Sequence, residues 1–266
     1  MLRLDYQYNM QLSFAKPVNR HHFTLRCFPA DNERQKITYQ DINITPSYVG
    51  GEETDSFGNH CIYGLIEGEH TDFNVNVSGK AYVYGDVFLP VEPSHRIGMF
   101  RYHTGLTDMG PSLYGIYEKL PYKDDIRNDV QKVALQWMNI IYDSIKYVQG
   151  ITQINTSAEE AAALSMGVCQ DYAHIFLALL RHEHIPCRYV VGMMMGEGAS
   201  HAWIEVSDGE KWIALDPTNN CPVDDRYINI SHGRDAKDCT INQGFFYGLP
   251  EQLQEIHVVV EESSND

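Results

Sequence analysis

Residues 165–186 read SMGVCQDYAHIFLALLRHEHIP, and this stretch decides the fold of the second half of the chain. Its apolar side chains recur at helical spacing, as with Phe176 and Leu180, which predicts a helix that begins near Val168. Pro186 ends that helix, because a proline breaks the hydrogen bonding of a helix interior. Three strand-like segments follow: CRYVVGMMM (187–195), HAWIEVS (201–207) and KWIALDP (211–217). The pattern predicts a helix packed on an antiparallel sheet.

The first third of the chain shows a different pattern. Short runs alternate apolar and polar side chains, as at Leu2, Leu4 and Tyr6. Turn residues such as Gly50-Gly51 separate these runs. Alternation of this kind is typical of half-buried strands, so we predict an N-terminal β-sandwich-like domain.

The two patterns together predict an α+β fold with two domains. Residues 1–102 form the N-terminal β-domain and residues 103–266 form the second domain. The core of the second domain covers about 127–220, and its C-terminal strands cover about 225–261. Within that core, apolar residues at helical spacing predict an amphipathic helix over about 127–148.

Composition and charge exclude some classes of function. The 266 residues include 36 Asp and Glu against 20 Lys and Arg, a formal net charge of −16, whereas nucleic-acid binding needs clustered basic residues. No apolar run approaches the roughly 20 residues that span a bilayer, and the first residues lack the apolar core of a signal peptide. We therefore expect a soluble, cytoplasmic protein that binds neither nucleic acid nor a membrane.

Cys169 differs from the other five cysteines in its position. Those five are scattered without zinc or redox spacing, and we expect most of them to be buried, unreactive thiols. Cys169 lies where the SMG turn runs into the helix, close to unpaired backbone N–H groups and the positive end of the helix dipole. Both features favour the thiolate, which is the nucleophilic form.

A hairpin predicts a partner for a nucleophile. HAWIEVS and KWIALDP are joined through Asp208-Gly209, a dipeptide typical of a two-residue turn. Such a turn pairs His201 directly with Asp216. A carboxylate on one imidazole nitrogen fixes the tautomer, stabilises the charged ring and leaves the other nitrogen free. The hairpin does not place Cys169 beside this pair.

Three blocks of sequence resemble the transglutaminase-like superfamily. They are GVCQDYAHIFLALLRHEHIPCRYVVG (167–192), ASHAWIEV (199–206) and WIALDPTNN (212–220). The resemblance is to the bacterial branch, whose members are often described as transglutaminase-like cysteine proteases. DSFGN (55–59) is similar to the N-terminal β-domain of that branch. SHGRDAKD (231–238) is similar to its GRDY-type segment, with Ala236 in place of the usual aromatic residue.

The resemblance implies a papain-like triad on a transglutaminase-like core. A helix that carries the cysteine packs on a sheet that carries the histidine and the aspartate, and by motif these roles fall on Cys169, His201 and Asp216. The implied activity is acyl transfer on amide or peptide bonds through a thioester, by a peptidase or amidase that acts on a peptide or protein and needs no cofactor. Two alternatives stay open: a transglutaminase that cross-links proteins, and a non-catalytic scaffold that binds a partner.

Weaker candidates surround the triad. The backbone N–H of Cys169 is a natural donor to the oxyanion of a tetrahedral intermediate. A second donor could come from Trp137, Gln153 or Gln170. Trp203 lies on the predicted face of the hairpin beside the small residue Ala214, and we take it as a candidate for the substrate cleft.

We expect no metal site. The histidines of the first domain match no standard zinc spacing. Three histidines on or just after the predicted helix have no companion Cys or Asp cluster, and we expect them to be solvated or core-capping: His174, His182 and His184.

Overall fold

The computed structural model describes residues 1–91 and 94–264 and has an α+β fold, as the sequence predicts. Its strands are β1 (Leu2–Leu25), β2 (Gln35–Thr45), β3 (Val49–Thr54), β4 (His60–Ile66), β5 (His70–Val83), β6 (Leu89–Pro90), β7 (Lys146–Tyr147), β8 (Met166–Gly167), β9 (Cys187–Met194), β10 (Gly196–Gly198), β11 (His201–Ser207), β12 (Lys211–Asp216), β13 (Cys221–Pro222), β14 (Tyr227–Gly233), β15 (Asn242–Tyr247) and β16 (Gln252–Glu262). Its helices are α1 (Ser94–Ile97), α2 (Pro111–Tyr117), α3 (Val130–Ser144), α4 (Ala158–Leu164) and α5 (Cys169–His182), with 3₁₀ turns at Gly98–Arg101 and Lys123–Asp125.

The long strand β1 is the centre of an eight-stranded, curled sheet. Its first part lies between β5 and β16, and its last part lies between β4 and β15. The register against β5 shifts between Ser13 and Val18, where β1 passes from one half of the sheet to the other. Alternate side chains of β1, among them Leu4, Tyr8 and Met10, are buried in the core that the curl encloses. The predicted alternation is therefore the inward face of this sheet.

The second sheet carries the helix predicted from residues 165–186. Its strands run in the order β13, β12, β11, β9 and β14, with β6 beside β12. α5 packs on one face, where Phe176 and Leu177 join Ile204 and Leu215 in an apolar cluster. The prediction of a helix packed on an antiparallel sheet is confirmed.

The two sheets do not divide the chain at the predicted boundary between residues 102 and 103. The predicted C-terminal strands separate: β14 belongs to the second sheet, but β15 and β16 return to pair with β1. β10 also joins the first sheet through β16, and β6, from before the boundary, pairs with β12. Alternation identifies a strand but not its partner, so the local pattern could not show this exchange.

Two side-chain amides join the first sheet to the outer edge of β14. Gln35 donates to the carbonyl of Asn229 and accepts from its N–H, both at 2.8 Å. Asn59 pairs with the backbone of His232 in the same way, again at 2.8 Å twice. Asn59 belongs to the DSFGN segment, whose Asp55 accepts from two backbone N–H groups of the same turn. These bonds pair backbone groups on the outer edge of β14 that have no strand beside them, and they fix β14 in place.

Local capping sets the bounds of the helices before α5. α3 is shorter than the predicted 127–148, because Asp129 caps its first turn and Ile145 is extended. α4 begins with a capping box: the side chain of Ser157 accepts from the backbone N–H of Glu160, and the side chain of Glu160 accepts from the backbone N–H of Ser157. Both helices pack against α5 and keep its buried side chains from water.

The histidine His174 ties α5 to the loop after β14. Its Nε2 accepts from the backbone N–H of Ala236 at 3.2 Å, and its ring is fully buried. Burial lowers the pKa of His174 to about 4, so the ring is neutral at pH 7. His174 is therefore a core histidine, whereas His184 is exposed.

We expect acid to destabilise the fold through His174. Its pKa in the folded protein lies below the value of 6.5 expected when unfolded, so its contribution is complete above pH 6.5 and is lost as the pH falls towards 4. His174 alone should remove on the order of 2 kcal/mol of unfolding free energy between pH 7 and pH 5. Urea unfolding at both pH values measures this loss.

The matched control is His174→Gln, which keeps an acceptor for the N–H of Ala236 but does not titrate. Its unfolding free energy should fall less over the same pH range. His21, whose pKa burial also lowers to about 4, contributes equally to both proteins. An identical pH dependence in the two proteins would rule out His174 as the acid-sensitive group.

Candidate active site

Cys169 is the first residue of α5, and its side chain is partly exposed. Val168 before it is extended, so the chain turns into the helix at the cysteine. Asp171 holds the turn, because its Oδ2 accepts from the N–H of Val168 and from the hydroxyl of Thr152, both at 2.7 Å. The thiol therefore lies at the positive end of the helix dipole, as the sequence predicts.

His201 and Asp216 lie within hydrogen-bonding distance at the ends of neighbouring strands. His201 is the first residue of β11 and Asp216 is the last residue of β12. Nε2 of His201 lies 2.7 Å from Oδ2 of Asp216. Cys169 interacts with this ring closely enough to raise the pKa of His201. Because Nε2 faces the carboxylate, Nδ1 is the nitrogen left for the sulfur.

The register predicted for this hairpin is wrong by two residues. Ser207 pairs with Trp212 and Glu205 with Ala214, so four residues separate the last pair instead of two. The carboxylate of Asp208 causes this, because its Oδ1 accepts from the N–H groups of the two residues before Trp212 and wraps the loop around itself.

The predicted contact survives the error because side chains alternate with a period of two. A shift of two residues keeps His201 and Asp216 on one face, but as diagonal neighbours instead of direct partners. Diagonal Cβ atoms lie about 7–8 Å apart, a gap that an imidazole and a carboxylate can bridge. The two residues therefore meet, although a two-residue turn does not join their strands.

Five hydrogen-bond donors surround the carboxylate of Asp216, which is fully buried. Oδ2 accepts from His201 Nε2 at 2.7 Å, from Asn219 Nδ2 at 2.7 Å and from the hydroxyl of Tyr227 at 2.9 Å. Oδ1 accepts from the backbone N–H groups of Thr218 and Asn219 at 2.9 and 3.2 Å. Burial alone would raise the pKa of Asp216, but these hydrogen bonds and the charge of His201 hold it below its usual value. The carboxylate is therefore charged at neutral pH.

Asp216 and Cys169 in turn favour the charged form of His201. Burial alone would lower the pKa of this histidine, whereas the hydrogen bonds and charges of Asp216 and Cys169 raise it to about 10. The ring is therefore protonated at pH 7. An imidazolium beside a thiol stabilises the thiolate, so the arrangement can supply a nucleophile and an acid together.

Sequence reasoning missed Asn219 and Tyr227. Asn219 lies in the WIALDPTNN block, and its place three residues after Asp216 is typical of a side chain that folds back on a turn. Tyr227 gives no local signal, because it reaches the site through the pairing of β14 with β9.

The side chains suggested as oxyanion donors differ in whether they have a free N–H group. Trp137 is fully buried, and its Nε1 donates to the carbonyl of Pro121 at 2.8 Å, so it is not free to bind an oxyanion. Gln170 donates one N–H to the carbonyl of Ile154 at 3.0 Å and keeps a second. Gln153 lies exposed in the same loop. Gln170 and Gln153 stay candidates, whereas the suggestion of Trp137 is wrong.

Trp203 is buried, which corrects the expectation that it belongs to the substrate cleft. It is 1% exposed, and its ring packs with Tyr227 and Ala214, with its centroid 6.3 Å from that of His201. Gly192 makes room for the indole, because a Cβ there would lie 2.3 Å from the ring. Trp203 is therefore a buried residue that lies beside the ring of His201.

Neither a metal site nor a membrane helix is found in the described part of the chain. Within residues 1–91 and 94–264, no three His, Cys, Asp or Glu side chains are grouped to hold a metal ion. In the same ranges, no helix has both the length and the apolar composition needed to cross a bilayer.

Comparison with known proteins identifies the family. The model of the transglutaminase-like superfamily matches residues 122–217, which contain Cys169, His201 and Asp216. The model of the bacterial transglutaminase-like N-terminal region matches residues 4–81. Residues 122–217 are therefore a transglutaminase-like core. The superfamily core thus spans α3 to β12, and the N-terminal region contributes most of the curled sheet.

Individual proteins similar to this chain extend the comparison. An uncharacterized protein of Mycobacterium leprae is 25% identical over 286 aligned residues, covering 98% of both chains. An uncharacterized protein of Mycobacterium tuberculosis is 36% identical over 123 residues, which are 40% of this chain and 39% of that one. The crystal structure of a "putative cysteine protease" from Cytophaga hutchinsonii covers 100% of this chain and 92% of its own, at 21% identity and a TM-score of 0.71. The last comparison shows that the two share a fold.

We expect Cys169→Ala to leave the fold nearly as stable as before. Cys169 is partly exposed at a helix start, so removal of its sulfur opens no cavity in the core. The same change at Cys187, which is fully buried, should cost about 1 kcal/mol, as for other deletions of one buried heavy atom. Chemical unfolding of the two variants compares them directly. A larger loss at Cys169 than at Cys187 would mean that Cys169 is a structural residue.

We expect Asp216→Asn to lower the pKa of His201 from about 10 towards its ordinary value of 6.5, because the asparagine carries no charge. The NMR titration of the ring Cε1–H measures this pKa, with the signal assigned by its loss in His201→Gln. Asp55→Asn removes a carboxylate that pairs with Arg26 and should leave the titration of His201 unchanged. An unshifted titration in Asp216→Asn would show that the carboxylate does not set the charge of the ring.

Proposed function

We propose that this protein is a cysteine-dependent acyl-transfer enzyme that hydrolyses amide or peptide bonds. The observation that carries the proposal is the 2.7 Å hydrogen bond between His201 and Asp216, together with the effect of Cys169, the first residue of α5, on the pKa of the same ring. The match of residues 122–217 to the transglutaminase-like superfamily supports it, as does the common fold with a protein described as a "putative cysteine protease".

Acylation would begin with the ion pair of Cys169 and His201. The thiolate attacks the carbonyl carbon of the amide, a C–S bond forms, and the carbonyl electrons move to the oxygen. The backbone N–H of Cys169 is one donor for that oxyanion, with Gln170 or Gln153 as candidates for the second. When the intermediate collapses the C–N bond breaks, and the nitrogen takes its proton from His201 and leaves as an amine.

Deacylation would reverse the proton transfer. His201, now neutral, takes a proton from water while the oxygen attacks the thioester carbon. The C–S bond then breaks, which releases a carboxylic acid and restores the thiolate beside the imidazolium. Throughout both steps Asp216 keeps its charge and stabilises the imidazolium form of His201 whenever the ring is protonated.

Alkylation with iodoacetamide at pH 6 tests the nucleophile without knowledge of the substrate. We expect Cys169 to be modified fastest of the six cysteines, because only a thiolate reacts. Cys221 is the internal control: it is also partly exposed, but burial of its thiol and nearby carboxylates raise its pKa. His201→Ala should slow the reaction of Cys169 by about tenfold or more. Equal rates at Cys169 and Cys221 would support a non-catalytic scaffold instead.

Trapping of the acyl group tests the reaction itself. Wild-type protein incubated with a peptide mixture and quenched in acid should carry a thioester on Cys169, which mass spectrometry identifies. Cys169→Ser serves as the control and should give no thioester. Release of the acyl group to water supports hydrolysis, whereas transfer to an added primary amine in preference to water would identify a cross-linking transglutaminase.

A further inference from the structure

Tyr227 contacts the triad from a strand that carries none of its members. It is the first residue of β14, paired with Met194 of β9, and it is 4% exposed. Its hydroxyl lies 2.9 Å from Oδ2 of Asp216, the same oxygen that Nε2 of His201 binds. Tyr227 and His201 therefore share one acceptor atom.

The direction of the protons around Tyr227 follows from the chemistry of its neighbours. A charged carboxylate can only accept, so the hydroxyl donates its proton to Asp216. The phenol oxygen can then accept from the thiol of Cys221, whose Sγ lies 3.6 Å away. Burial and the charge of Asp216 raise the pKa of Tyr227 well above its usual value. The hydroxyl therefore stays protonated, and stays a donor, over the whole working range of pH.

Tyr227 is not needed to fix the orientation of the carboxylate. The backbone N–H groups of Thr218 and Asn219 hold Oδ1, and the amide of Asn219 holds Oδ2. These three donors belong to the turn that follows β12, so they move with Asp216. Tyr227 comes from another strand and adds a further donor to an oxygen that is already in position. What such a donor changes is the basicity of that oxygen, because each hydrogen bond draws charge from the carboxylate.

We propose that Tyr227 acts through Asp216 and limits how strongly this carboxylate holds the proton of His201. With Tyr227 in place the carboxylate is a weaker base, so the imidazolium keeps its proton on the ring but can release it to the leaving amine. The catalytic part of this role rests on the proposed function. The effect on the ring itself does not, because it follows from the contacts among three side chains.

The experiment measures the pKa of His201 by NMR in protein that carries Cys169→Ala. This background removes the thiol from the titration, so Asp216 is the charged group that still acts on the ring, and Tyr227 acts on Asp216. Adding Tyr227→Phe should raise the pKa of His201 by about half a unit to one unit, since the loss of one donor makes the carboxylate a stronger partner. Replacement of Tyr227 by a fluorinated tyrosine, which is a stronger donor, should lower it.

The sign of the shift separates this role from a structural one. If Tyr227 only supported the fold, Tyr227→Phe would loosen the contact between His201 and Asp216, and the pKa of His201 would fall. Tyr8→Phe is the matched control: its hydroxyl is buried in the first sheet with no hydrogen-bond partner, so the titration of His201 should not move. An unchanged or lowered pKa in Tyr227→Phe, or no opposite shift with the fluorinated tyrosine, would overturn the proposal. Slow alkylation of wild-type Cys169 would instead count against the proposed function alone.

Discussion

The charge on Asp216 is the constraint on which the site depends. A carboxylate with no access to water costs several kcal/mol unless donors replace its hydration shell. Here the donors come from the start of β11, from the turn after β12 and from β14. Each of these segments must therefore be in place before the carboxylate can be buried in its charged form. The site and the second sheet are for this reason one structure and not a site added to a scaffold.

The position of α5 is constrained at both ends by buried charged or polar groups. At its start Asp171 binds the turn that presents Cys169. Near its end Arg181 is fully buried and donates to the carbonyls of Phe100 and Cys187 and to the hydroxyl of Thr107. A cation near the C-terminus of a helix also offsets the negative end of its dipole. Because both ends are fixed, the position of Cys169 is set by the whole helix and not by a mobile loop.

The sequence identifies those parts of the site that local physics determines. The helix start at Cys169 follows from apolar spacing and a turn, and both appear in the structure. The contact of His201 with Asp216 is predictable because side chains of a strand alternate with a period of two, but the length of the loop is not, because it depends on the hydrogen bonds of the Asp208 side chain. Tyr227 could not be found, because its approach depends on the pairing of β14 with β9. The predicted boundary after residue 102 has the same limitation, since the alternating pattern of β15 and β16 does not show that both strands pair with β1.

The place of β1 also has a consequence for how the chain folds. Its neighbour β16 lies at the other extreme of the described sequence, and the hydroxyl of Ser263 binds Asp5, 258 residues away. Closure of so long a loop costs little extra free energy, because the entropy grows only with the logarithm of its length. Pairing of β16 with β1 is slow, however, because contacts between residues far apart in the sequence form late. Until β16 arrives, β1 is a 24-residue alternating strand with one open edge, and this interval is when the protein is most exposed to pairing with other unfolded chains.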